Sequence, residues 1–184
     1  KLAVTMNKLY ILVEGDDDER FFDKIIKPLL REKYYVKIVK YAEWKMKKEK
    51  IENFIRSCQS MKADYIYVTD LNASPCVTVK KEEIMRKLED IEESKIIVVK
   101  REIESWYLAG LKDSDRRKLG IKRSLSSTEN VTKEQFNTLL RDPAERINVM
   151  IEILKRFSID TAKQKNSSFK YFMEKKIEKM IHDC

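Results

Sequence analysis

Residues 9–22 read Leu9-Tyr10-Ile11-Leu12-Val13-Glu14-Gly15-Asp16-Asp17-Asp18-Glu19-Arg20-Phe21-Phe22. The opening five residues are apolar, β-branched or aromatic and show no polar alternation, so they predict a short strand buried on both faces. Glu14-Gly15 closes it in a tight turn. The three aspartates then open a helix, where negative charge gains about 0.3–1 kcal/mol from the helix dipole. Phe21, Phe22, Ile25, Ile26, Leu29 and Leu30 recur at helical spacing and lay one apolar stripe along a helix of roughly residues 17–32.

The same alternation continues outward. Tyr35 to Lys40 predicts a second strand, with Val36, Ile38 and Val39 apolar, and residues 47–61 a helix with Ile51, Phe54, Ile55, Cys58 and Met61 on one face. Tyr65-Ile66-Tyr67-Val68-Thr69 is a third buried strand, ending at Asp70-Leu71-Asn72. A loop through Pro75 and a helix of about 80–93 lead to a fourth strand, Ile96-Ile97-Val98-Val99, which ends in Lys100-Arg101-Glu102. Strands alternating with helices imply parallel pairing through crossovers. The expected class is α/β, a Rossmann-like parallel sheet of about four strands with flanking helices. Beyond Gly110 no strand is expected. A polar stretch, Ser124 to Asn130, precedes a helix near 132–140. Asp142-Pro143-Ala144-Glu145 has the N-cap, Pro and Glu order of a helix start, with Ile147, Met150, Ile151, Leu154 and Phe157 continuing it. Ser167 or Ser168 opens a last helix, with Phe169, Phe172, Met173, Ile177 and Met180 inward. The organisation is thus an α/β domain over residues 8–110 and a helical extension over 111–184 packed on it, without internal repeats.

Composition narrows the chemistry. The chain has 184 residues, of which 42% are hydrophobic, enough for a core without disulfides. Charged residues make up 38%, well above the roughly 25% of an average domain, and coat amphipathic helices. The only histidine, His182, lies beside the C-terminus, which excludes a Ser–His–Asp or Cys–His relay. Cys58, Cys76 and Cys184 form no CxxC pair, so neither a zinc site nor a disulfide framework is expected, and the thiols read as reduced and cytoplasmic. No apolar run is long enough to span a membrane and no signal peptide is visible. Lys1 is not a natural start, which makes Met6 the expected native one. Net charge is +8. Residues 1–110 carry 22 basic and 20 acidic side chains, and residues 111–184 carry 17 and 11. Clustered acids on a basic background suit a metal-dependent enzyme acting on a polyphosphate; the same charge also suits a merely solubilising surface.

In an open parallel sheet ligands bind beyond the C-terminal strand ends. The first strand delivers Glu14 there, the third Asp70 and Asn72, and the fourth Glu102 and Glu104. Hard cations such as Mg²⁺ take oxygen ligands, and carboxylates crowded together repel unless a cation bridges them. Each residue also has a plainer role. Glu14 is an ordinary polar strand end, Asp16 and Asp17 suit the helix dipole, Asp70 suits a turn, and Trp106 and Tyr107 suit the core. Lys47-Lys48 and Lys175-Lys176 suit solvated helix faces.

Three segments, in order, carry a resemblance. LYILVEGDDDERFF is similar to the first signature of TOPRIM domains, with Glu14, Gly15 and Asp18 at its motif positions. YIYVTDLNAS resembles the second, an Asp-x-Asp in which Asp70 is the first acid and Asn72 stands where the second is expected. VVKREIESWYLAG resembles a third block, found in stand-alone TOPRIM-like proteins related to the overcoming-lysogenization-defect nucleases. The resemblance implies a Mg²⁺- or Mn²⁺-dependent nuclease or phosphotransferase acting on DNA or RNA. In it Glu14 is a metal ligand or general acid/base, Asp70 a metal ligand and Asn72 a weaker neutral one. Asp18 and Glu104 complete a second metal site, and Lys100 and Arg101 hold phosphate oxygens. The neutral Asn72 and the basic helical part instead favour a non-catalytic nucleic-acid-binding module on a TOPRIM scaffold. A third reading, an α/β interaction protein, keeps a protein partner or a homodimer open. No GxxxxGK[ST] loop is present in these 184 residues, so the ATPase part of larger relatives is not expected in them.

Overall fold

The computed structural model describes residues 6–44 and 47–182; Cys184 and the residues before Met6 lie outside that range. The chain divides into two compact units, one ending at Val98 and one running from Val99 to His182. No helix among the described residues is long and apolar enough to cross a membrane.

The fold is α/β around a four-stranded all-parallel sheet. β1 (Asn7–Val13) enters α1 (Asp16–Phe21), which runs through a π turn at Phe22–Ile26 into α2 (Lys27–Leu30). β2 (Tyr34–Lys40), α3 (Lys47–Ser60), β3 (Asp64–Asp70), α4 (Val77–Lys87) and β4 (Ile96–Val99) follow. The strand order is β2-β1-β3-β4, with Leu9 opposite both Val36 and Asp64. The chain therefore moves outward from β1 in one direction to β2 and in the other to β3. That reversal makes the β1–β3 boundary the switch point of the sheet, where a crevice opens beyond the strand ends.

The two sheet faces are filled as the pleat dictates. Leu12, Tyr65, Tyr67, Ile96 and Val98 turn to one side and pack with Ile51, Ile55 and Cys58 of α3 and with Ile84 and Leu88 around α4. Ile11, Val13, Ile66 and Val68 alternate to the other side and are equally buried. Met61, expected on the α3 core face, is 52% exposed because the helix ends at Ser60. α4 is shorter than the spacing predicts. Its continuation is drawn off by tertiary hydrogen bonds: Glu89 N–H donates to Glu52 at 3.2 Å and Glu92 N–H to the Tyr65 hydroxyl at 3.1 Å.

The second unit is helical: α5 (Glu104–Ala109), α6 (Asp113–Lys118), α7 (Lys133–Leu139), α8 (Arg146–Lys155) and α9 (Ile159–Lys165). α10 (Ser167–Phe172) continues through a π turn at Met173–Ile177 into α11 (Glu178–His182). Trp106 and Tyr107 are fully buried, and the Trp106 ring stacks on Phe172 with centroids 5.3 Å apart. α8 starts as expected behind Asp142, whose carboxylate accepts from Ala144 N–H at 2.9 Å. Its inward side is Met150, Ile153 and Leu154, whereas Ile147 and Ile151 face outward. The short helix α9 carries too few apolar residues to show a period in the sequence.

Candidate functional site

Tyr41 ties the ends of the first three strands together. Its N–H donates to Val13 C=O at 3.0 Å and Ala42 N–H to Glu14 C=O at 3.2 Å, so β1–β2 pairing runs past the end of β2. Its hydroxyl donates to Val68 C=O on β3 at 2.9 Å, and its ring stacks on Tyr67 with centroids 5.0 Å apart and planes 11° from parallel. Burial raises the pKa of both phenols, so Tyr41 and Tyr67 stay neutral donors.

Above this pair lies a cavity of about 370 Å³, between the strand ends and the helices α3 and α4. The β1–β3 register, extended by two residues, sets Glu14 level with Thr69, and both line it. Asn72, Ile51, Ile84 and Leu88 complete its polar and apolar walls. The remaining side chains are cations. Lys47 and Lys48 come from the first turn of α3, Lys80 and Lys87 from α4, so among the described residues four lysines line the cavity beside one carboxylate.

The pairing of these lysines is incomplete. Lys47 stands 3.9 Å from Glu14 and 5.0 Å above the Tyr41 ring, and Lys48 reaches Glu52 at 3.8 Å. Both distances lie at the outer edge of an ion pair. Lys80 and Lys87 have no carboxylate partner among the described residues, whereas their neighbour Lys81 pairs with Glu93. Lys47 and Lys48 also sit at the positive end of α3, where cations are disfavoured. An anion resting there would satisfy the helix end and the lysines together. Trp44 packs against the buried cluster that holds Tyr41 and Ile51, with its ring 5.8 Å from Phe54 and its backbone N–H donating to Tyr41 C=O.

The residues singled out from sequence divide between the two units. Glu14 and Asn72 meet in the cavity. Asp70 is not among its lining residues, since the pleat that turns Tyr67 and Thr69 inward sends the next residue to the other face. Asp18 is buried and reaches back to accept from Gly15 N–H at 3.3 Å, a helix-start role. Asp16 pairs with Lys40 at 2.6 Å and Asp17 with Arg20 at 2.7 Å. In the second unit Glu104 is buried against Arg146 at 2.5 Å. Lys100 pairs with Glu129 at 2.8 Å, and Glu102 accepts the backbone N–H of Lys133. Arg101 is exposed with a positive φ of 70°.

These surroundings bear on the metal that the resemblance implies. Among the described residues no group of three or more His, Cys, Asp or Glu side chains is placed to hold a metal ion. The cavity offers one carboxylate already faced by an ammonium, plus a neutral amide. Mg²⁺ wants an octahedron of oxygens with net negative charge, so this donor set does not fit a preformed cage. What fits is an anion with oxygen acceptors.

Lys80, Lys87, Tyr41 and Tyr67 were not legible as site residues. In the sequence the lysines resemble any solvated helix face and the tyrosines any core aromatics. The one available signal was at α3, where two lysines open a helix against its dipole. No protein-family model, curated protein or solved structure matches the chain.

Proposed function

We propose that this protein is a nucleic-acid-binding α/β module whose strand-end cavity takes phosphate groups. The observation that supports it most is the excess of lysines over carboxylates at the β1–β3 switch point, with Lys80 and Lys87 lacking a counter-charge among the described residues. Each lysine that meets a phosphate displaces condensed counterions, so affinity is expected to fall steeply as salt rises. The test is isothermal titration with single- and double-stranded DNA and RNA oligonucleotides at 50 and 200 mM salt. Binding at low salt that weakens at high salt, and weakens in K80E/K87E, is the expected result. No binding of any oligonucleotide at low salt overturns the reading.

Hydrolysis of phosphodiester bonds with Mg²⁺ or Mn²⁺ is the competing reading, and the adjacency of the strands that end in Glu14 and Asp70 favours it. Asn72→Asp separates the two. It adds a negative charge to the cavity, so it weakens oligonucleotide binding in the first reading. In the second it tightens Mn²⁺ binding and raises strand cleavage.

A further inference from the structure

The size and charge of the cavity say more than that it attracts polyanions. We infer that it is built for a nucleoside carrying a phosphate monoester, one nucleotide deep. This inference rests on the phosphate-binding reading above and narrows it to a substrate class.

A volume of about 370 Å³ falls at the lower end of the roughly 300–1,000 Å³ range of small-molecule sites. It admits one nucleotide and not the side of a duplex. A groove that follows a polymer would be long and open, with its cations in a row. Here they come from two helices on either side of one recess.

The charge agrees with a monoester. An internal phosphodiester carries one negative charge, whereas a terminal phosphate carries about −1.5 to −2 at pH 7. Lys80 and Lys87 are seven residues apart on α4, about 10 Å along the axis, with Ile84 between them on the same face. That spacing suits a doubly charged group near one lysine and the sugar or a following phosphate toward the other.

The polar end sets the orientation. Glu14 repels phosphate but accepts hydrogen bonds from a sugar hydroxyl or a base amino group, and Asn72 both donates and accepts. The nucleoside therefore lies toward Glu14 and Asn72, with its apolar faces against Ile84 and Ile51, and the phosphate lies toward Lys80 and Lys87. The monoester has two sources, the phosphorylated end of a strand or a free nucleotide, and both present this chemistry.

The test is isothermal titration of the full chain with one oligonucleotide sequence in three forms: 5′-phosphate, 3′-phosphate and hydroxyl at both ends. AMP and adenosine are titrated beside them. One phosphorylated form is expected to bind about tenfold tighter than the hydroxyl form, the scale of one added charge-assisted contact. The preference is expected to vanish in K80Q/K87Q, with the melting temperature showing that this variant folds. It also narrows below about pH 5, where the monoester loses its second charge. AMP binding without adenosine or oligonucleotide binding supports the monoester site and overturns the nucleic-acid reading. Equal affinity for all three oligonucleotides overturns the monoester inference and leaves the nucleic-acid reading standing. Absence of binding to every probe overturns both.

Discussion

Asn72 sits at a φ of 49°, in the left-handed region that asparagine tolerates better than most side chains. The backbone therefore gives a reason for asparagine at this turn that is independent of any ligand. Glu14 was legible at the residue scale because a charged residue directly ends a buried strand. The fate of Glu104 was not, because its neutralising partner, Arg146, lies 42 residues away. Glu129 shows how such partners act. Burial pushes its carboxyl up, but the Lys100 ammonium and the Ser167 N–H outweigh that and hold it below its ordinary 4.5. A carboxyl lowered in the folded state stabilises above its unfolded value, and the contribution drains away as pH falls through the folded one. Glu129→Gln is expected to cost about 1 kcal/mol at pH 7, discounted for partial exposure, and progressively less toward pH 3. Thermal melts across that range check it, and an unchanged gap would show that the charge is irrelevant. Gly110 is a steric case. A Cβ there would lie 2.2 Å from the Phe157 ring, so Gly110→Ala is expected to destabilise by about 1–3 kcal/mol, with Phe157→Leu in the same chain recovering part. Denaturant titration of the single and double variants reads this directly.

At the element scale, periodicity identified where helices lie better than how they turn. The apolar stripe from Phe21 to Leu30 is real, but Pro28 has no N–H for an unbroken α-helix. The π turn at Phe22–Ile26, where Lys27 N–H reaches back to Phe22 C=O, widens the ladder just ahead of Pro28, which has no N–H to give. In α8 the spacing puts Ile147 and Ile151 in one stripe with Met150 and Leu154, whereas the structure leaves both exposed and buries Ile153. A helix with apolar residues on more than one face has no single phase. The junction of α9 and α10 depends on Asn166, which is 1% exposed. Its side-chain oxygen accepts from Phe169 N–H at 3.0 Å and the Ser168 hydroxyl at 2.8 Å, and its amide donates to Thr128 at 3.2 Å. Asn166→Ala removes a helix cap and leaves buried partners unmet, so a loss of about 2–3 kcal/mol is expected in denaturant titration. Asn166→Ser keeps a capping oxygen and loses the amide donor without burying a charge, so a deficit as large as that of alanine would assign the stability to the donors.

Across the whole molecule, the sheet class was readable because each strand is a short apolar run bounded by polar residues. The strand order was not, since no local signal says which strand is the neighbour of β1. That order matters most for the site: it brings the α3 and α4 lysines to the same sheet edge as Glu14. The net charge of +8 adds a long-range attraction for polyanions that is independent of the cavity. K80Q/K87Q removes two of many positive charges, so it is expected to lower the salt slope of oligonucleotide binding by about two phosphate contacts and to leave some binding in place. A slope unchanged from the parent would place the contacts elsewhere. The chain has two tryptophans. Trp106 is sealed in the core of the second unit, while Trp44 is partly buried and leans on Phe54 three residues before the first cavity lysine. Replacing Trp106 with Phe leaves Trp44, three residues from Lys47 and packed on the cluster that holds Tyr41, as the single indole emitter. Its fluorescence then becomes a label-free gauge of occupancy, read without modifying protein or probe.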